Sequence, residues 1–276
     1  MLPPQPNARS PRSHRLTEVT PPYRFSICTL VTRHDEYERM LESCRQAGFG
    51  DDCEYLHVDN SEGNAYEAYR AFNLFLQRAQ GRYVIVCHQD VELRHDRRAD
   101  LEQRIAEVEA LDPRWALIGN AGCIDLEHRA IWISDGPSGR FYSRGERFPQ
   151  RVQSLDENFI LVRKDANLAV SADLDGFHFY GTDICVLADI LGWNAYVVAF
   201  HLYHRSAGKV DESFHRLRTR VEQKYRRALR SRHVQTTMTR LYLSGHALGR
   251  ALFGNAVVRR VVRWSYKLRR RLFRSP

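Results

Sequence analysis

Three short apolar runs in this 276-residue chain end in side chains that can do chemistry. "FSICTLV" leads into Thr32-Arg33-His34-Asp35, "CEYLHV" into Asp59-Asn60-Ser61, and "YVIVC" into His88-Gln89-Asp90. A buried strand that runs into a carboxylate must either pair that charge or hold it out for a ligand. Carboxylate oxygen suits a hard divalent cation, and a placed aspartate can take a proton from a hydroxyl. One acidic strand end is chance; three in succession form a rim.

The segments between these runs must set the rim in place. "RHDEYERMLESCRQAGFG" has Asp35 as a candidate N-cap, Tyr37, Met40, Leu41 and Cys44 at helical spacing, and Gly48 as a stop. A second helix is expected over about 65–79 and a third over "ADLEQRIAEVEALD", followed by a strand "WALIGNAG". Strand and helix alternate throughout, which predicts an α/β fold with a mostly parallel sheet flanked by helices. Ligands in such sheets bind at the carboxyl ends of the strands. Residues 134–150, rich in Gly and Pro, read as a long binding loop or lid. "ENFILVRKD" returns to strand, a helix begins near Asp183 and stops at Gly192, and a last strand runs on into "HLYHRSAG".

Four segments in order, "YLHVDNSEGN", "YVIVCHQDVEL", "FHFYGTDICVLADILGWNAYVV" and "HLYHRSAG", resemble family-2-like glycosyltransferases of the GT-A (Rossmann-like) fold. Within that family the resemblance is to a bacterial subgroup with an "HQDV" signature, and it covers roughly residues 25–208. It implies transfer of a sugar from a nucleotide-sugar donor, foremost a UDP-sugar, to a hydroxyl of a glycan or lipid-linked acceptor, as in cell-surface polysaccharide synthesis. A divalent cation, Mg2+ or Mn2+, usually assists. Carried over, Thr32, Asp59, Asn60, Asp90 and Asp156 contact the donor, Asp90 and His204 hold the metal, and Asp183 is the general base of an inverting displacement. Two departures stand out. His88-Gln89-Asp90 occupies the place of Asp-x-Asp, leaving one carboxylate, and Thr182-Asp183 the place of Glu-Asp. The first departure keeps a second reading open, a catalytically inactive relative that binds nucleotides or scaffolds partners.

Composition separates body from tail. Beyond His204 there are 20 Lys and Arg against 3 Asp and Glu, leaving 22 against 30 before it. An acidic body argues against a nucleic-acid partner. Residues 1–24 read as a flexible tail without a signal-peptide pattern, 25–205 as the transferase domain, and 206–276 as a basic helical appendage. In "NAVVRRVVRWSYKLRRRLF", Val257, Val258, Val261, Val262, Leu268 and Leu272 form one stripe. Arg259, Arg260, Arg263, Lys267, Arg270, Arg271 and Arg274 gather opposite, as in an interfacial helix on an anionic membrane. The expected location is cytoplasmic, with peripheral attachment to the inner face of the membrane. Six scattered cysteines without a CxxC pair predict reduced, buried thiols.

Overall fold

The computed structural model describes residues 20–206, 208 and 210–272. The expected tail over 1–19 and the last residues of the basic stripe, Arg274 among them, lie outside the described residues. In chain order the elements are β1 (Tyr23–Val31), α1 (His34–Gln46), β2 (Cys53–Asp59), α2 (Ala68–Arg78), β3 (Gly81–Cys87), β4 (Val91–Glu92), α3 (Arg98–Leu111), β5 (Trp115–Gly119) and β6 (Ala121–Cys123). Then come β7 (Arg129–Asp135), β8 (Arg140–Arg144), β9 (Gln150–Val152), β10 (Ser154–Leu155), β11 (Phe159–Arg163), α4 (Tyr180–Ile190), β12 (Asn194–Val197) and β13 (Leu202–His204). The C-terminal part holds α5 (Glu212–Ala228), β14 (Arg232–Gln235), β15 (Arg240–Leu243), α6 (Ala247–Phe253) and α7 (Ala256–Leu272).

The main sheet has the order β2-β1-β3-β11-β5-β12-β9. Strands β2, β1 and β3 pair in parallel, as do β5 and β12, whereas β11 is antiparallel to both β3 and β5 and so joins the two halves. The inner strands β1, β3, β5 and β11 are apolar on both faces because helices cover both. On one side Tyr37, Met40, Leu101 and Ile105 of α1 and α3 pack with Phe25, Trp115 and Phe200. On the other, Phe72 and Phe75 of α2 and Ile184 of α4 pack with Val84, Val86 and Ile160.

A second sheet, β10-β6-β7-β13-β4 with β8 added on β7, stands beside the first. It corrects two expectations. The Gly- and Pro-rich stretch is not one long loop: β7 and β8 form a hairpin, with Gly136 and Gly139 at positive φ making the turn. The last strand does not run through to "HLYH" either. It breaks after Val197, and β13 joins the second sheet between β7 and β4. All six cysteines are free thiols, five of them buried.

The C-terminal part is helical only in portions, since β14 and β15 form a hairpin within it. Helix α5 docks on the body through Arg220 to Asp175 and Lys224 to Asp173, with Leu217 and Val221 buried beneath it. Along α6 and α7 the apolar side chains of Leu248, Leu252, Val257, Val261 and Trp264 are exposed. Among the described residues no helix is long and apolar enough to cross a membrane.

Candidate active site

The carboxyl ends of β1 and β3 open onto a cavity of about 570 Å3. Its walls include Thr32, Arg33 and Glu36 from the start of α1, Phe72 and Phe75 of α2, His88, Gln89 and Asp90 after β3, Phe177 and Tyr180 at the head of α4, and Arg205 and Ser206 after β13. That size and mixed lining suit a small-molecule ligand. Gln89, not singled out in the sequence, closes one wall: its Oε1 accepts the N–H groups of Thr32 and Arg33 at 2.8 and 2.9 Å. Its amide nitrogen donates to Thr32 Oγ1 and Glu36.

Strand register assembles the chemistry at the floor. β4 starts directly after Asp90, and β13 pairs with it so that His204 lies opposite Val91. On its other side His204 lies beside Asp135 of β7. His204 Nε2 is thus 3.5 Å from Asp90 Oδ1 and 3.2 Å from His88 Nδ1, while its Nδ1 faces Asp135 at 3.0 Å. The far nitrogen of His88, Nε2, meets the Tyr180 hydroxyl at 3.1 Å. The second oxygen of Asp90 accepts the Ser206 N–H.

Burial by itself would raise the proton affinity of Asp90, but hydrogen bonds from His204 and Ser206 and the nearby imidazoles outweigh it and hold the carboxyl well below the usual range. For His88, burial and then the neighbouring His204 push the pKa down. For His204 burial works the same way, yet the carboxylates of Asp90 and Asp135 prevail and the pKa rises.

His88 Nδ1, Asp90 and His204 Nε2 lie close enough together to share one metal ion. Two ligands each about 2.1 Å from a common ion in tetrahedral or octahedral geometry are about 3.0–3.4 Å apart. The His88–His204 separation fits that range and the His204–Asp90 separation lies just beyond it, so the donor set fits a divalent cation. His88 was missed as a ligand from the sequence; its place two residues before Asp90 was the available signal.

The other expected residues fall elsewhere. Asp59 is exposed at the same rim, where Val31 pairs with it; it accepts the Ser61 N–H and contacts His34 at 3.2 Å. Asn60 is buried and holds the following loop through the Tyr66 backbone, donating to its carbonyl and accepting its N–H. Asp156 is exposed, and its Oδ1 accepts from the N–H and amide of Asn158. None of these three lines the cavity.

Asp183 departs furthest from its expected place. It lies in the first turn of α4 but is 0% exposed, and both oxygens are engaged. Oδ2 accepts the Ser171 N–H at 2.7 Å; Oδ1 accepts the hydroxyls of Ser171 and Tyr225 at 2.7 and 2.5 Å. It ties α4 to α5 and to the segment before α4, inside the protein and away from the cavity. Both of its oxygens are thus taken up by protein donors, and Asp183 is not among the residues that line the cavity.

A different acid sits at the head of α4. Glu157, half-buried, accepts the Gly181 N–H at 3.3 Å, and its own carbonyl accepts the hydroxyl of Tyr180, a cavity residue. Only glycine permits this approach: a Cβ on residue 181 would lie 2.4 Å from the Leu155 carbonyl. Burial, followed by the adjacent Asp156 charge, raises the Glu157 carboxyl to about 8 against the opposing pull of the helix N–H groups.

No family model matches the chain. It is 42% identical over 228 residues to a Fuscovulum blasticum protein named "ATP synthase subunits region ORF 6", covering 80% of this chain and 91% of that one. Among solved structures it is similar to S. aureus TarS 1–349 in complex with UDP-GlcNAc, at TM-score 0.51 and 13% identity over 74% of this chain and 66% of TarS 1–349. It also resembles the mannosyltransferase PcManGT from Pyrobaculum calidifontis in complex with GDP-Man and Mn2+, at TM-score 0.45 and 12% identity over 72% of this chain and 61% of that one. The chain thus spans less than two thirds of each of these solved structures, 66% and 61%. The fold is GT-A-like, as the sheet order and the TarS likeness show.

Proposed function

The chain belongs to the family of the Fuscovulum blasticum ATP synthase subunits region ORF 6 protein, and we propose that its members are glycosyltransferases that move a sugar from a nucleotide donor to an acceptor hydroxyl. The observation that carries this reading is the cavity at the carboxyl ends of β1 and β3, with Asp90 and His88 in its lining and His204 converging on them. The nucleotide lies over Thr32 and the head of α1, with Asp59 at the base end of the rim. Arg33 and Arg205, both in the cavity wall and paired with Glu36 and Glu92, face the diphosphate; among the described residues the buried Arg205 Nε has no hydrogen-bond partner. His88, Asp90 and His204 would hold a divalent cation, which when bound would neutralise charge on a nucleoside diphosphate leaving group.

Direct displacement needs a group that takes the acceptor proton. We assign it to Glu157 in place of the interior Asp183. Its carboxyl accepts the Gly181 N–H next to the cavity residue Tyr180, although Glu157 is not itself one of the lining residues, and its raised proton affinity matches a base that works near neutral pH. Asp183 and Asn60 hold the walls rather than touch the ligand.

The exposed apolar side chains of α6 and α7, set among Arg250, Arg260 and Arg263, suit the surface of an anionic membrane, where a lipid-linked acceptor would be met. The chain should co-sediment with anionic vesicles and be released by salt; equal binding to neutral vesicles would remove the electrostatic part of this reading. The function itself is tested by nucleotide release from a panel of UDP-, GDP-, dTDP- and CMP-sugars. Release from one of them, lost in Asp90→Ala, is expected. Tight nucleotide binding with no turnover of any donor would mark a catalytically inactive relative, a reading that the single carboxylate of His88-Gln89-Asp90 favours.

A further inference from the structure

We propose that His88, Asp90 and His204 form a nitrogen-rich metal centre that selects Zn2+ or Co2+ over Mn2+ and strongly over Mg2+, with Asp135 and Tyr180 as its positioning residues. The reading of the cavity as a nucleotide-sugar site supplies the purpose of this centre, but ion selection rests on the donor set alone.

Two of the three converging donors are imidazole nitrogens, His88 Nδ1 and His204 Nε2, and one is a carboxylate oxygen of Asp90. Imidazole favours borderline transition ions, whereas Mg2+ demands oxygen and parts reluctantly with its water. A site with two carboxylates and no histidine would show a weaker preference, because Zn2+ and Co2+ also outbind Mg2+ at oxygen donors. Three protein ligands would also leave positions open on an ion, and His88 and Asp90 both line the cavity from which a ligand would take them.

The outer nitrogens strengthen the case. Each ligating imidazole is gripped on its far side, His204 Nδ1 by Asp135 at 3.0 Å and His88 Nε2 by the Tyr180 hydroxyl at 3.1 Å. Such contacts fix the tautomer, so that the inner nitrogen presents its lone pair to the ion, and a carboxylate partner raises ligand basicity. The pair of grips comes from β7 and α4, two elements that share no sequence neighbourhood with β3 or β13. Ordinary packing of two histidines does not require both outer nitrogens to be held and both inner ones to converge on a carboxylate.

The test is direct ion binding to the metal-free full chain, without nucleotide. Co2+ is followed by its visible absorption, and Zn2+, Mn2+ and Mg2+ are titrated as competitors. One equivalent of Co2+ should bind, and displacing it should take at least about tenfold more Mg2+ than Zn2+. His88→Asp, which swaps an imidazole for a carboxylate, should narrow that gap. Asp135→Asn and Tyr180→Phe should weaken Zn2+ binding by about 10–100-fold with an unchanged melting temperature of the metal-free protein. Mg2+ competing as well as Zn2+, or Co2+ binding that survives His204→Ala, would overturn the proposal, as would no ion binding at all. The two readings fail separately: nucleotide binding with no selective ion binding defeats this centre and leaves the transferase, and selective ion binding without any nucleotide binding does the reverse.

Discussion

Asp183→Ala should cost on the order of 3–5 kcal/mol of stability, while Asp183→Asn should keep most of both stability and transfer. Alanine strands the Ser171 N–H and two hydroxyls in an interior where water does not replace the lost oxygens. For a domain of this size that is a fall of roughly 10 °C in melting temperature. Asparagine can keep its oxygen on the Ser171 N–H and turn its amide toward the Ser171 and Tyr225 hydroxyls, which rotate to accept. A catalytic base gives the opposite pattern, with Asp183→Asn inert but as stable as the wild type. Melting curves and turnover of the two variants therefore separate a structural tie from a base, and an inert, fully stable asparagine variant would restore the catalytic role to Asp183.

Glu157→Gln should lower kcat by on the order of 10²–10⁴-fold, the usual contribution of a general base. The wild-type rate should rise with pH through about 8, as the carboxyl loses its proton, and the variant should lack that limb. The same substitution should act oppositely on stability. The folded-state pKa lies above a glutamate's ordinary value near 4.5, so folding favours the protonated form. That contribution is complete at low pH and is lost as pH rises from about 4.5 to about 8. Glutamine is neutral throughout, so the variant should match the wild type near pH 4 and be the more stable above pH 8. Loss of activity together with a gain in alkaline stability is not expected of a simple helix cap. A Glu157→Gln enzyme with an unchanged pH–rate profile would remove the base assignment.

Much of the fold could be read directly along the chain. The repeat of apolar runs and helical spacings from Phe25 to Gly119 determined the parallel half of the main sheet, because strands covered on both faces must be apolar throughout. The same pattern could not show where strands change sheet. "VVAFHLYH" carries no turn residue, yet the strand breaks after Val197, and the break is what carries His204 to Asp90.

At the site, Asp90 and Thr32 were legible as strand ends, and both line the cavity. His88 was not, since a histidine among aromatic residues looks packed until its partner 116 residues away is in view. Asp183 misled for a physical reason. A polar residue at the head of a helix marks a catalytic acid and a buried tie equally well, and Ser171 and Tyr225, which decide between them, come from separate segments. Glu157 was legible only as the neighbour of Asp156 in "LDEN", and nothing in the sequence showed its raised proton affinity, which arises from burial.

The central claim is that this cavity holds a nucleoside diphosphate through an ion at Asp90. Its most direct test is the melting temperature of the full chain with UDP, GDP, dTDP or CMP, each with and without a divalent cation, beside the same series for Asp90→Ala. Stabilisation by one nucleotide, dependent on the cation and absent in the variant, is the expected result. No response to any nucleotide under any ion condition, or an identical response in Asp90→Ala, would contradict it.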